Sequence, residues 1–297
     1  MMDANSPSRR MARPADSRDL TRLCHLAELV RWDIVETLGV VGSGHPGPSL
    51  SIVEILVTLY FSELRIDPAR PKWPARDRFI LSKGHGALGY YAVLAQRGLF
   101  PREELETFES LGSRLQGHPD CQLTPGVELS TGSLGQGLSV AVGVAIGARM
   151  LGKDIRAYCL LGDGETEEGN VWEAAMSAAK FRLDNLVAIV DWNGLQGGVT
   201  LEVMPSLEPY GAKWEAFGWH VLDIPGHDIA ALLGAYARAR TVEGKPTVIV
   251  ARTVKGKGVS FMENQADWHA KKLEGAELAQ ALGEVKARLD ALEAVRP

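Results

Sequence analysis

Three cysteines in 297 residues, Cys24, Cys121 and Cys159, are too few and too irregularly spaced for a disulfide framework or a metal–thiolate cluster. Their scarcity suits reduced thiols and a cytoplasmic protein, with Cys159 packed inside a strand. No apolar run approaches the ~20 residues that a membrane span requires; the longest weakly polar stretch covers only residues 138–146. Residues 1–16 carry arginines but no apolar core, which predicts a disordered tail rather than a targeting signal. Basic excess is missing too. Lys plus Arg total 32 against 37 Asp plus Glu, a net charge of −5, so nothing in the charge balance favours nucleic acid. Internal repeats, low-complexity tracts and a dividing linker are also absent, and residues 17–297 read as one domain.

The residues that are present have the patterning of an α/β enzyme. Leu20, Leu23, Leu26, Ala27, Val30, Ile34 and Val35 recur at helical spacing across residues 19–38. Further helices are expected at 52–61 with Ser49 as its cap, at 88–97, after Pro101, at 135–150, 167–180, 210–217, 229–241 and 274–293. Short apolar runs at 78–81, 155–161, 186–190, 220–224 and 247–251 read as strands. Strands apolar on both faces, alternating with helices, predict a parallel sheet covered by helices on both sides. Ligands in such sheets bind beyond the carboxyl ends of the strands.

Two of those ends carry the strongest chemical signal. The run ending at Leu161 is followed by Gly162-Asp163-Gly164, and the run ending at Val190 by Asp191-Trp192-Asn193. Carboxylate and amide oxygens brought together suit a hard cation such as Mg²⁺, which takes its remaining ligands from water and phosphate. The glycines permit close approach of a bulky anion, and the helix behind them aims free N–H groups at it. A magnesium diphosphate fits this arrangement. Glu165, Glu167 and Glu168 follow at once, and their plain reading is a helix first turn whose carboxylates offset the dipole.

Four of the seven histidines sit in glycine- or proline-flanked turns, namely His45, His85, His118 and His269. Each alone reads as a solvated loop residue. Four at such turns of one α/β domain suggest convergence, where an imidazole can contact a sugar hydroxyl or phosphate and exchange a proton. His25, His220 and His227 have no such context and read as structural. Residues 42–47 also satisfy G-x-G-x-x-G, but the preceding residues continue a helix, whereas a dinucleotide fold needs a strand there.

The GDG…N spacing resembles the signature of thiamine diphosphate enzymes, and its flanks resemble transketolase. So do SGHPG (43–47), LSKGHG (81–86), GHPD (117–120) and KGKG…WH (255–269). The resemblance covers about residues 20–275, the diphosphate-binding domain alone. It implies that Asp163, the Asn193 side chain and the Leu195 carbonyl hold Mg²⁺, and that Gly164 contacts the diphosphate. It implies that Gly132, Ser133 and Leu134 touch the cofactor rings, with Ser133 standing where many transketolases carry proline. His45 and His118 become substrate-side groups, and His85 and His269 groups near both cofactor and substrate; Ala270 departs from the usual glycine after His269. Lys83 and Lys255 could neutralise phosphate or simply be solvated. Glu168 falls at the contact between active sites of neighbouring subunits.

The implied activity is transfer of a two-carbon ketol unit from a ketose phosphate to an aldose phosphate, with pentose phosphates the ordinary substrates and branched or sulfonated sugars open. The pyrimidine-binding domain with its activating glutamate is expected on a separate C-terminal subunit, in an α2β2 assembly. The alternatives are another thiamine diphosphate enzyme, such as a 2-oxoacid dehydrogenase α subunit or a synthase on an unusual ketose, and a non-catalytic cofactor-binding domain.

Overall fold

Helix α1 (Ser17–Val41) turns Leu23, Ala27, Val30, Ile34 and Leu38 inward, each almost wholly buried, as the 3.6-residue spacing requires. The computed structural model describes residues 17–197, 199–200 and 207–294. The tail expected at 1–16 lies outside the described residues. After α1 come two short helices, α2 (Pro46–Leu50) and α3 (Val53–Thr58), and a π-helical turn at Leu59–Glu63. Ser49 therefore lies inside α2 with its hydroxyl buried and without a partner, and does not cap the next helix. Pro46 and Pro48 explain the shift, because proline is preorganised for a helix start and seeds α2 where the sequence suggested only a turn.

Strand β1 (Arg78–Leu81) leads into α4 (Ala87–Gln96). Pro101 precedes a 3₁₀ segment, Arg102–Thr107, where an α-helix was expected. Helix α5 (Gln136–Met150), strand β2 (Ala157–Gly162), helix α6 (Gly169–Lys180) and strand β3 (Leu186–Trp192) follow. A small hairpin of β4 (Leu195–Gln196) and β5 (Val199–Thr200) hangs from the end of β3. The chain closes with α7 (Tyr210–Ala216), β6 (His220–Pro225), α8 (Ile229–Thr241), β7 (Thr247–Arg252) and α9 (Gly275–Ala294).

The main sheet is wholly parallel, in the order β1-β2-β3-β7-β6. Successive strand residues feed opposite layers, as a two-residue period demands. Tyr158, Leu160, Val187, Ile189 and Ile249 face the layer of α1, α3, α4, α8 and α9. Cys159, Leu161, Ala188, Val190, Val248 and Val250 face α5, α6 and α7. The central strands β2, β3 and β7 are covered on both faces and read as continuous apolar runs, whereas the edge strand β6 is only half-buried. After β3 the chain crosses to the far edge, forms β6, and returns to insert β7 beside β3. The strand order therefore reverses at the ends of β3 and β7, the kind of position where such sheets bind ligands.

No helix among the described residues is long and apolar enough to cross a membrane. The Gly42–Gly47 segment follows α1 directly, without the strand that a dinucleotide site needs.

Candidate active site

Three strand ends converge on Asp191, the sixth residue of β3, which is fully buried. Its carboxylate accepts from Lys83 Nζ at 2.5 Å, Ser51 Oγ at 2.7 Å, Asn193 Nδ2 at 3.1 Å and the Thr253 hydroxyl. These donors come from the loops after β1, β3 and β7 and from the end of α2. Burial raises the carboxyl pKa, but the Lys83 ammonium and the hydroxyl donors outweigh it and hold Asp191 below its usual range. A buried charge persists only when paired and hydrogen-bonded in this way.

Asp163, one residue beyond β2, is 3% exposed. Its Oδ1 accepts from Gly164 N at 2.8 Å, and its Oδ2 accepts from Asn193 N at 2.8 Å and Gly194 N at 2.7 Å. The structure thus brings the two strand ends together. Burial, followed by the neighbouring Asp191 carboxylate, pushes the Asp163 carboxyl up to about 6. A cation already faces this loop, because Lys255 Nζ donates to Leu195 O at 3.3 Å and Gly197 O at 3.2 Å. Lys255 is 2% exposed and Lys83 1% exposed, so neither is a solvated lysine. Burial and the nearby Lys83 ammonium lower the Lys255 amine to about 8.

The carboxylates after Asp163 correct the sequence expectation. The chain leaves β2 through a 3₁₀ turn, Gly164–Glu167, and α6 begins only at Gly169. Asp163 binding Gly164 N favours the tight turn and delays the helix. Glu165 is not a first-turn residue but a buried tie. It accepts from the Ser82 hydroxyl, from Gly135 N at 2.9 Å and from Gly162 N at 3.0 Å. Glu167 accepts from Gln196 Nε2 at 2.9 Å, and the Gln196 side chain covers Gly164. Only Glu168 stands at the start of α6, exposed and making no side-chain cap bond.

The four turn histidines form one cluster. His45 lies 5.9 Å from His85, 6.0 Å from His118 and 5.7 Å from His269 between ring centroids, and His85 lies 5.2 Å from His269. Burial, then the Lys83 ammonium, pushes His85 down to about 2; burial, then Lys255, pushes His269 down to about 4. His45 is lowered by burial and by His118. These three imidazoles are therefore neutral near pH 7, each with one donor and one acceptor nitrogen. Lys255 links the cluster to the strand ends, since its Nζ also lies 2.9 Å from His269 Nδ1.

Gly132, Ser133 and Leu134 lie in the loop before α5, with Gly132 at φ 148° against the His118 ring and Ser133 exposed. The turn holding His85 presses on this loop, and a Cβ on Gly84 would stand 2.8 Å from Gly132 N.

Sequence reasoning missed Asp191 and Glu165. Asp191 lies in the Asp-Trp-Asn run, but the convergence of Lys83, Ser51 and Thr253 on it depends on the fold. Nothing local marks Glu165 as buried. His227, read as structural, accepts at Nε2 from Val254 N at 2.8 Å, next to Lys255.

A parallel α/β sheet with acidic strand ends, two buried ammonium groups and a histidine cluster over the switch point defines an enzyme domain that binds an anionic cofactor. The family model for the thiamine diphosphate-binding domain of transketolase matches residues 23–288. The chain belongs to the transketolase family. It is 47% identical over 252 residues to the 6-deoxy-6-sulfo-D-fructose transketolase subunit of Clostridium sp. (strain MSTE9), covering 84% of this chain and 91% of that one. It is 48% identical over 244 residues to an apulose-4-phosphate transketolase subunit of Actinobacillus succinogenes, covering 82% and 88%. The crystal structure of Campylobacter jejuni transketolase superposes with a TM-score of 0.82 at 30% identity, over 94% of this chain but 46% of that one.

Proposed function

We propose that this chain is the N-terminal subunit of a two-chain transketolase. It would bind thiamine diphosphate and Mg²⁺ and transfer a two-carbon ketol unit between sugar phosphates. The observation that carries the reading is Lys255, whose ammonium joins the histidine cluster at His269 to the Leu195 carbonyl beside Asp163. Relatives named as transketolase subunits, matched over about nine-tenths of their length, support a separate partner chain. We assign that partner the pyrimidine-binding half and an α2β2 assembly with Glu168 near the contact, in the cytoplasm. The histidine cluster speaks for polyhydroxylated substrates and against a simple oxoacid or a purely binding role. Pentose phosphates head the substrate panel, which includes 6-deoxy-6-sulfo-D-fructose and apulose 4-phosphate.

The residues fit the metal and the cofactor. A buried carboxylate raised by a second carboxylate is eased by a cation, and Lys255 already presents one at Leu195 O. Among the described residues no cluster of three or more His, Cys, Asp or Glu side chains could hold a metal. A mixed set of Asp163 carboxylate, Asn193 amide oxygen and Leu195 carbonyl is the hard-oxygen alternative suited to Mg²⁺. When bound, thiamine diphosphate supplies the carbanion chemistry that no side chain provides.

This chain supplies orientation and proton traffic. The three protons of the Lys255 ammonium face Leu195 O, Gly197 O and His269 Nδ1. His269 Nδ1 is thereby an acceptor, so its proton resides on Nε2, the nitrogen left to donate to a substrate oxygen. His45, His85 and His118 complete a polar wall for the sugar hydroxyls; Gly132, Ser133, Leu134 and Gly164 complete the cofactor-side surface. The glutamate tie at Glu165 holds these turns in register.

Calorimetry on the reconstituted two-chain complex tests the reading. Thiamine diphosphate uptake should require Mg²⁺, disappear in EDTA and fail in Asp163→Ala. Metal-independent uptake would remove the metal assignment, and ketol transfer by this chain alone would overturn the two-chain reading.

A further inference from the structure

His227 sits behind the site, in the turn between β6 and α8, and both of its ring nitrogens are engaged. Nδ1 lies 2.8 Å from Glu54 Oε2, and Nε2 accepts from Val254 N at 2.8 Å. A backbone N–H can only donate, so Nε2 is bare and Nδ1 carries the proton that Glu54 receives. Glu54 itself is fixed by a buried ion pair with Arg31, which also binds Glu28 Oε1 at 2.7 Å.

The same network grips the segment that carries Lys255. Arg31 Nε donates to Lys257 O at 3.1 Å, and Arg288, paired with Glu28, donates to Gly258 O at 2.5 Å. On its inner side the segment is tied to the His45 turn, with Gly256 N donating to Gly47 O at 3.2 Å. The turn before His227 can lie against Arg252 and Thr253 only because residue 226 is glycine. A Cβ there would fall 2.5 Å from Thr253 Cγ2 and 3.0 Å from Arg252 O.

We infer that His227, aligned by the Glu54–Arg31 pair, is a positioning residue that sets the placement of Lys255 and, through it, of His269. The inference rests on the proposed function for its catalytic meaning, but its structural half stands alone. His227 touches neither strand-end carboxylate; it acts through the backbone at Val254, one residue from Lys255. A histidine is suited to this post because one neutral ring both donates to a carboxylate and accepts from an N–H. A glutamine can reproduce that pair, whereas a phenylalanine of similar breadth can do neither.

The experiment compares wild type, His227→Phe and His227→Gln in the complex with the C-terminal subunit, with thiamine diphosphate and Mg²⁺ as ligands. In His227→Phe, cofactor binding should weaken about tenfold, the scale on which an outer partner affects the group it orients. Amide exchange should rise at 253–258 while β7 and α8 stay protected. His227→Gln should restore both to near the wild-type values. Wild-type cofactor affinity and protection in His227→Phe would sink the inference, as would a Gln variant as damaged as Phe. If the wild-type complex takes up no cofactor, the functional reading fails instead, and exchange at 253–258 still decides whether His227 holds the segment.

Discussion

Lys83 Nζ and Asp191 Oδ2 meet 2.5 Å apart between the ends of β1 and β3, with side chains 2% and 0% exposed. Such a pair is worth little as a net source of stability, but breaking it strands a charge in a dry interior. Lys83→Met should destabilise the domain by about 3–5 kcal/mol for that reason. Urea unfolding of the isolated chain measures this. A loss below about 1 kcal/mol, the size expected of a surface pair, would mean that water reaches Asp191.

Glu165 makes a second, separable prediction. Its Oε1 serves the Ser82 hydroxyl and Gly135 N, and its Oε2 serves Gly162 N. Removing it leaves three donors without a buried acceptor, so Glu165→Ala should cost on the order of 3 kcal/mol. Glu165→Gln should fall between, because the amide oxygen can keep two donors while its NH₂ opposes Gly162 N–H. Denaturant midpoints ordered wild type, Gln, Ala are expected; equal midpoints for Gln and Ala would contradict the split of contacts.

The contrast between Asp163 and Glu165 explains what the sequence could tell. Asp163 was legible because a strand, a GDG turn and a second strand ending in Asn form a local pattern with a chemical meaning. The strands themselves were legible because a sheet buried on both faces leaves unbroken apolar runs. Glu165 was not, since its burial depends on Ser82 and Gly135, which are remote in sequence and reach it only through strand order. The partners of His227 were hidden similarly, since Glu54 and Val254 lie at separations of 173 and 27 residues. The histidine cluster lay between these extremes. Each turn was visible, but the 5–6 Å spacings needed the fold.

Gly84 joins the His85 turn to the cofactor-facing loop. An alanine Cβ would meet Gly132 N at 2.8 Å and Thr131 C at 2.9 Å, both backbone atoms that cannot rotate aside. Gly84→Ala should therefore displace the Gly132–Leu134 loop at a cost of about 1–3 kcal/mol, as overpacking does. Thiamine diphosphate binding by the complex should weaken while contact with the partner subunit is kept. Unaltered cofactor affinity would detach this loop from the cofactor.

Acid should weaken the fold in two successive windows. Histidines held below 6.5 in the folded state, His85 near 2 and His269 near 4, refuse protons that the unfolded chain accepts. Asp163, raised to about 6, works the other way below that value. Two imidazoles against one carboxyl still leave the unfolded state with more bound protons between about pH 6.5 and 4, so stability falls as pH falls. Glu54 acts lower down. Burial alone would raise it, but Arg31 and His227 bring it to about 2 from 4.5, so its stabilisation is complete above pH 4.5 and lost toward 2. Urea unfolding of the isolated chain at pH 7.5, 5.5 and 4 should show a steady decline, and ring-carbon NMR should show His85 and His269 untitrated at pH 5.5. Either ring titrating near 6.5 would show that water reaches the cluster and that its imidazoles are not held neutral.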